Sequence, residues 1–145
     1  MNKAIERLAR QGEEWRRAVA AIPDPRVELE SGGWNLHQLL AHTRDTNAHV
    51  YLLRLQRIVL EDNPLFGNFD ADTWMAARYD PDEPLDTILE ELVGQCDAAA
   101  AWLNGLADAV WARPGTHVTI GTLPFAGWLE RMLAHIQEHL DQLKR

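Results

Sequence analysis

Apolar residues recur at intervals of three and four along most of this chain, the spacing that keeps them on one face of an α-helix. The stretches with this pattern cover about residues 2–21, 36–60, 84–106 and 122–143. Prolines interrupt the pattern after the first and third stretches. The segment THVTIGTLP alternates briefly between polar and apolar residues, but it is too short to form a sheet on its own. No stretch has the pattern of a core strand, so the chain is predicted to be all-α.

The second helix has the clearest start, and a long connection follows it. Asn35 is a favourable N-cap residue, and Gln38 three positions later completes a capping box. The connection begins with EDNPLFGNFDAD, which is rich in turn-forming residues, and Asp72 is predicted to open a short extra helix within it. Four long helices predict a four-helix bundle. The length of the connection leaves the up-and-down order of the helices open.

Histidines occupy inward positions on two of these helices. Continued at the period of an α-helix, the inward row of the second helix contains Leu39, His42, Thr46, His49, Leu53, Arg57 and Leu60. A row on the last helix contains Trp128, Met132, His135 and His139. Imidazoles buried in a core are costly unless their polar nitrogens find partners, and a shared metal ion would be such a partner.

His135 and His139 are four residues apart, so their side chains lie on one face of the helix and can reach the same divalent ion. In a bundle, ligand sites are built from side chains on facing helices, and His42 could supply the third nitrogen. Three protein ligands leave coordination positions open, as in catalytic metal sites. The all-nitrogen set suits Zn, Ni, Cu or Fe, and the spacing does not select among them.

The histidines also allow interpretations other than a three-histidine metal site. A single H-x-x-x-H on a helix is common without metal, so satisfied core histidines are the alternative. The H-E-x-x-H motif of zincin-type proteases is absent from the sequence. A di-iron bundle needs E-x-x-H pairs, but Leu39 and Ile136 stand three residues before His42 and His139.

Composition narrows the class of protein. The 145 residues suit one domain, and the net charge of −8 argues against a nucleic-acid partner. The single cysteine, Cys96, falls within an apolar helical pattern and is predicted to be a small buried residue rather than a nucleophile. The N-terminus is too charged for a signal peptide, and no apolar run approaches the roughly 20 residues that span a bilayer. We therefore expect a cytoplasmic protein without membrane contact.

Three segments carry a resemblance to a known family: WNLHQLLAHTRD, LLRLQRIVLEDNP and GTLPFAGWLERMLAHIQEHLDQL. Together they resemble the DinB-like (DNA-damage-inducible) superfamily of metal-binding four-helix bundles, from about Trp34 to the C-terminus. The resemblance implies one domain over residues 1–145, an up-down-down-up bundle and a homodimer. It also implies a divalent ion, Zn or Ni in the first place and Fe or Mn otherwise, held by His42, His135 and His139.

The function expected from this resemblance is that of a metal-dependent enzyme acting on a small molecule. Transfer of a low-molecular-weight thiol to a small electrophile and hydrolysis are the two reactions considered. The alternatives are a non-catalytic metal-containing stress or ligand-binding module and a helical protein with a vestigial histidine face.

Several further residues received predicted roles. His49 and Asp45 are the candidates for proton transfer, and His49 also for a fourth ligand. Gln142 could orient His139, three residues before it. Arg54 and Arg57 could meet an anionic substrate or extend their charged ends into solvent. His37 is expected to be exposed or beside the helix cap, and His117 to be an ordinary loop residue or, as the alternative, to line the pocket.

Overall fold

The computed structural model of the protein describes residues 2–30 and 32–144. Its α-helices are α1 (Lys3–Ala20), α2 (Leu36–Thr46), α3 (Leu53–Leu60), α4 (Ala71–Arg78), α5 (Leu85–Asn104) and α6 (Phe125–Leu143). A π-helical segment, Asn47–Leu52, joins α2 to α3 without a break, and a 3₁₀ turn, Asp108–Ala112, follows α5. The strands are β1 (Leu65–Phe66), β2 (Pro114–His117) and β3 (Gly121–Pro124).

Four helical rods make up the bundle: α1, α5, α6 and the continuous rod formed by α2, the π segment and α3. Helix α1 packs against α5 and α6, and α2 also packs against both. The predicted all-α four-helix bundle of the up-down-down-up type is confirmed, and α4 is the short extra helix in the long connection. No helix in residues 2–30 and 32–144 is long and apolar enough to span a membrane.

The capping box and the apolar stripe of the third long helix, both predicted from the sequence, are present in the structure. The Asn35 side chain accepts a hydrogen bond from the Gln38 backbone N–H, and the Gln38 side chain accepts one from the Asn35 N–H, so the capping box is complete. The apolar stripe of α5 points into the core. Within it Cys96 is fully buried, and burial raises the pKa of its thiol to about 12. Cys96 therefore packs as a small apolar residue and is not a nucleophile.

A small sheet includes THVTIGTLP, the segment predicted to be too short to form a sheet on its own. Strands β2 and β3 form an antiparallel hairpin, and β1 from the long connection pairs in parallel with β2. The hairpin is fastened to α6, because the indole N–H of Trp128 donates to the Gly115 carbonyl at 3.0 Å. A side chain at Gly115 would place its Cβ 2.7 Å from the Phe66 ring. The pairing of β1 with β2 joins segments that are distant in sequence, which local patterning does not reveal.

The π segment corrects the predicted inward row of the second rod. His49, Leu53 and Leu60 are exposed, whereas Val50, Leu55 and Ile58 are buried. A π turn closes i→i+5 hydrogen bonds and so holds one residue more than an α turn. That extra residue rotates the following positions by about 100° relative to the α-helical pattern. The segment thus turns His49 outward and brings the face of Tyr51 and Arg54 toward the last helix.

Candidate metal centre

His42 on α2 meets His135 and His139 on α6. The Nε2 atom of His139 lies 3.0 Å from that of His135 and 3.2 Å from that of His42. Each residue offers one ring nitrogen, and the three nitrogens all lie within 4.8 Å of one another. His42 is buried, and the other two rings are partly buried. The structure thus brings together the three histidines that the spacing and the resemblance had singled out, here called the histidine triad.

Neighbouring side chains hold the rings of the triad in place. The carbonyl oxygen of the Gln142 side chain accepts a hydrogen bond from Nδ1 of His139 at 2.8 Å, as predicted, which leaves Nε2 with its lone pair toward the other two rings. Tyr51 stacks on His135 with ring centroids 4.7 Å apart, and Trp34 tilts against His42 at 4.8 Å. Residues of two rods, Tyr51 of the second rod and Gln142 of α6, therefore fix the orientation of the triad rings.

Burial favours the neutral form of His42 and His135. The pKa of His42 is lowered to about 4, first by burial and then by the nearby His139, while Asp45 opposes the shift. Burial lowers the pKa of His135 to about 3, with His139 and His42 acting in the same direction. Neutral imidazole is the form that binds metals.

The donor set fits a divalent cation. If the Nε2 of His139 carries a lone pair, the two other Nε2 atoms would have to donate to it from both sides. One cation shared by the three nitrogens would use all three lone pairs and match the ligand chemistry of first-row transition metals.

A pocket of about 340 Å³ opens beside the triad. His42 and His135 form part of its wall, and the π segment and α3 contribute Tyr51 and Arg54. Most of the remaining lining residues come from the connection before α4, the β2–β3 hairpin and α6, among them Asn68, His117, Thr119 and Arg131. His139 and Gln142 face a second cavity of about 310 Å³ on the other side, which Trp34 also lines.

The two residues predicted for proton transfer lie elsewhere. His49 is exposed and packs against the Trp74 ring, with centroids 5.0 Å apart, and it is outside the group of converging nitrogens. The Asp45 carboxylate accepts hydrogen bonds from the Arg44 guanidinium at 2.9 Å and from the Trp74 indole at 3.1 Å. The rotation at the π segment displaces His49, and ion pairing occupies Asp45, so the geometry does not support either prediction.

Two histidines differ from their expected surroundings. His37, expected near the surface, is buried, and its ring nitrogens meet the Tyr79 hydroxyl and the Glu83 carbonyl. His117 is also buried and lines the pocket, which was the alternative to an ordinary loop residue. Its Nδ1 accepts from the backbone N–H groups of Thr119 and Ile120, which ties down the turn of the hairpin.

Arg54 and Arg57, predicted either to meet an anionic substrate or to extend into solvent, have different surroundings. Arg57 pairs with Glu61 at 2.8 Å near the surface, whereas Arg54 is half-buried in the pocket wall. Tyr51 and Arg131 were missed by the sequence reasoning. Their contribution depends on the π segment and on the closure of several elements around one space, and neither leaves a periodic signal in the sequence.

The family model of the DinB superfamily matches residues 7–143, a span that contains the whole histidine triad. The chain belongs to the DinB superfamily. Among curated proteins it is 26% identical, over 117 residues, to a protein from Oceanobacillus iheyensis whose name marks it as a candidate metal-dependent hydrolase. That match covers 81% of this chain and 67% of the relative.

The fold of this DinB protein is also that of a solved structure. YfiT from Bacillus subtilis, described as a probable metal-dependent hydrolase with an unusual four-helix bundle topology, superposes with a TM-score of 0.86 at 21% identity. The superposition covers 98% of this chain and 82% of YfiT. At this level of identity the likeness establishes the bundle topology alone.

Proposed function

We propose that this DinB protein is a metal-dependent hydrolase of a small molecule, with a divalent ion held by His42, His135 and His139. The observation that carries the proposal is the convergence of three imidazole nitrogens beside a pocket of about 340 Å³, whose wall includes the rings of His42 and His135. The naming of the Oceanobacillus relative and of YfiT as metal-dependent hydrolases supports hydrolysis as the reaction.

Each part of the site has a task in this proposal. A divalent ion with open coordination positions lowers the pKa of water and polarises an electrophilic carbonyl or phosphoryl group. Gln142 fixes the His139 ring so that Nε2 faces the ion. Tyr51 and Trp34 keep the other two rings from rotating. The all-nitrogen donor set suits Zn, Ni, Cu or Fe. The family resemblance puts Zn or Ni first, with Fe or Mn as the next candidates.

Thiol transfer and homodimer formation, both expected from the family resemblance, stay predictions. A low-molecular-weight thiolate could use the same open coordination positions as water. The activity test therefore includes thiol transfer as a separate assay.

The metal centre is tested first. Protein produced without a histidine tag is expected to contain about one equivalent of Zn or Ni per chain, measured by elemental analysis. His42→Ala, His135→Ala and His139→Ala should each lose most of it. His49→Ala is the matched control, because this exposed imidazole lies outside the triad and its loss should leave the metal content unchanged. Equal metal content in all four variants would refute the assignment of the ligands.

The reaction is tested on the metal-loaded protein with small esters, amides and phosphoesters, and separately with low-molecular-weight thiols and electrophiles. We expect hydrolysis that disappears with a chelator and in the triad variants. Turnover that requires the thiol would assign the protein to thiol transfer instead. Binding of these compounds without turnover would favour the non-catalytic ligand-binding module.

A further inference from the structure

The pocket beside the triad has cationic walls. Its lining residues include Arg54 and Arg131 but, within residues 2–30 and 32–144, no aspartate or glutamate. The pocket wall is thus positively charged, although the chain as a whole has a formal net charge of −8. Several arginines elsewhere on the surface have carboxylate partners, as in the pairs Arg7–Glu130, Arg16–Glu90 and Arg57–Glu61.

Aromatic rings, rather than a carboxylate, hold Arg54. Its guanidinium carbon lies 5.6 Å from the centroid of the Trp128 ring and 5.7 Å from those of Tyr51 and Phe66. Ring faces attract a guanidinium but leave its N–H groups free to donate to a ligand. In the described part of the chain Arg54 has no ion-pair partner, unlike Arg57 on the next turn of the same helix.

The charges around Arg54 are unbalanced. Burial lowers the pKa of Arg54; Tyr51 opposes this shift, and the charge of Arg131 adds to it. Glu138 is close enough to Tyr51 to raise the pKa of that hydroxyl, but it forms no ion pair with either arginine in residues 2–30 and 32–144. An anion between the two guanidinium groups would remove their mutual repulsion and accept hydrogen bonds from them.

We propose that the pocket binds an anionic small molecule, whose carboxylate or phosphate group is held by Arg54 and Arg131 while its reacting bond lies beside the histidine triad. Arginine suits this task because its planar fork can donate two parallel hydrogen bonds to either oxyanion. The neutral polar residues Asn68 and Thr119 complete that side of the pocket. The choice of reaction rests on the proposed function, whereas the binding of the anion does not.

The first experiment measures anion binding to metal-free protein, so that the triad cannot hold the anion through an ion. Inorganic phosphate and succinate are titrated separately by isothermal calorimetry, which distinguishes the two oxyanions. We expect at least one to bind and the affinity to fall about tenfold or more in Arg54→Gln and in Arg131→Gln. Arg57→Gln is the matched control on the same helix and should bind as the unmodified protein does.

The second experiment compares matched substrates on the metal-loaded protein. The nitrophenyl esters of acetic acid and of succinic acid share a leaving group but differ in a free carboxylate. The preference in kcat/KM for the succinic ester should fall about tenfold in Arg54→Gln and Arg131→Gln, with little change for the acetic ester. Arg54→Lys, which keeps the charge but not the fork, should retain part of the preference.

The outcomes separate the two proposals. If neither ester is hydrolysed but the anions still bind through Arg54 and Arg131, the hydrolase proposal fails and the anion site stands. If hydrolysis occurs without any preference for the charged ester, and anions bind equally to all variants or not at all, the anion site is refuted. Because Arg131 is exposed, Arg131→Gln remains informative even if Arg54→Gln does not fold.

Discussion

The role of each histidine in this structure is set by what its second nitrogen contacts. Both nitrogens of His37 have protein partners, so this ring is a satisfied core residue. One nitrogen of His117 accepts two backbone N–H groups of the hairpin turn. In His139 the Gln142 side chain occupies Nδ1, which directs the lone pair of Nε2 toward the other two rings. A histidine is a candidate metal ligand when one ring nitrogen keeps a free lone pair. In His139 this nitrogen is Nε2, because Nδ1 donates to Gln142.

The hydrogen bond between His139 and Gln142 can be tested by substituting one residue. Gln142→Ala removes the acceptor at Nδ1, so that His139 can rotate or carry its proton on Nε2. Affinity for Zn should fall about 10- to 100-fold, measured by competition with a chromophoric chelator. Gln137→Ala is the control, because Gln137 lies on the same helix but donates to Asp141 instead. Unchanged affinity in Gln142→Ala would show that the triad does not need this hydrogen bond.

At the scale of secondary structure, the π segment Asn47–Leu52 decides which face of the second rod meets the pocket. The residues before it keep the predicted register, and those after it are rotated. π-helices are rare and occur mostly as single turns inside α-helices, so we expect packing on both sides of this turn to hold it in place. π turns occur often at functional sites, and here the turn contains Tyr51 and directly precedes Arg54, both of which lie in the pocket wall.

A pair of deletions tests this account. Deleting His49 removes the extra residue from the π turn, so the rod can continue as an α-helix with α2 and α3 packed as before. We expect an unfolding free energy, measured with urea, that is equal to or above that of the unmodified protein, and retained metal. Deleting Gln56 from α3 instead turns the buried Ile58 by about 100° and should cost several kcal/mol. Equal losses in both deletions would contradict the register account.

At the scale of the whole molecule, the histidine triad joins two rods that are distant in sequence. His42 and His139 are separated by 97 positions, yet their ring nitrogens lie 3.2 Å apart. A metal bound there would bind the native state and not the unfolded chain, which adds about 2.7 kcal/mol to stability when its concentration is 100 times the Kd. Without metal, the buried neutral imidazoles make stability depend on pH.

The sign of that pH dependence follows from the lowered pKa values. In the unfolded chain His42 and His135 take up protons near pH 6.5, whereas in the native state they do so only at about 4 and about 3. The unfolded state therefore binds more protons below pH 6.5, and native stability falls as the pH drops through this window. Urea unfolding of chelator-treated protein at several pH values should show this fall.

The double variant His42→Ala/His135→Ala provides the comparison for the pH measurement. It lacks the two buried imidazoles and should lose less stability between pH 6.5 and about 5, above the range in which carboxylates protonate. A loss equal to that of the unmodified protein would mean that other groups cause the pH dependence.

The sequence by itself determined the helices and the pairing of the triad residues. Apolar spacing of three and four predicted the four rods, Asn35 and Gln38 predicted the start of the second one, and the i, i+4 spacing of His135 and His139 predicted their shared face. These features could be predicted because they depend on residues within one or two turns of each other. His42 was added because bundle sites draw on facing helices, and the family resemblance named the same residue.

Only the tertiary structure decided the pocket. The pairing of Leu65 with Thr116 joins segments about fifty positions apart, and the π turn breaks the period on which the prediction of His49 relied. The placing of Arg54 and Arg131 in one cavity depends on both features. Local periodicity cannot encode such contacts, because their free energy comes from surfaces that meet only when the chain has folded.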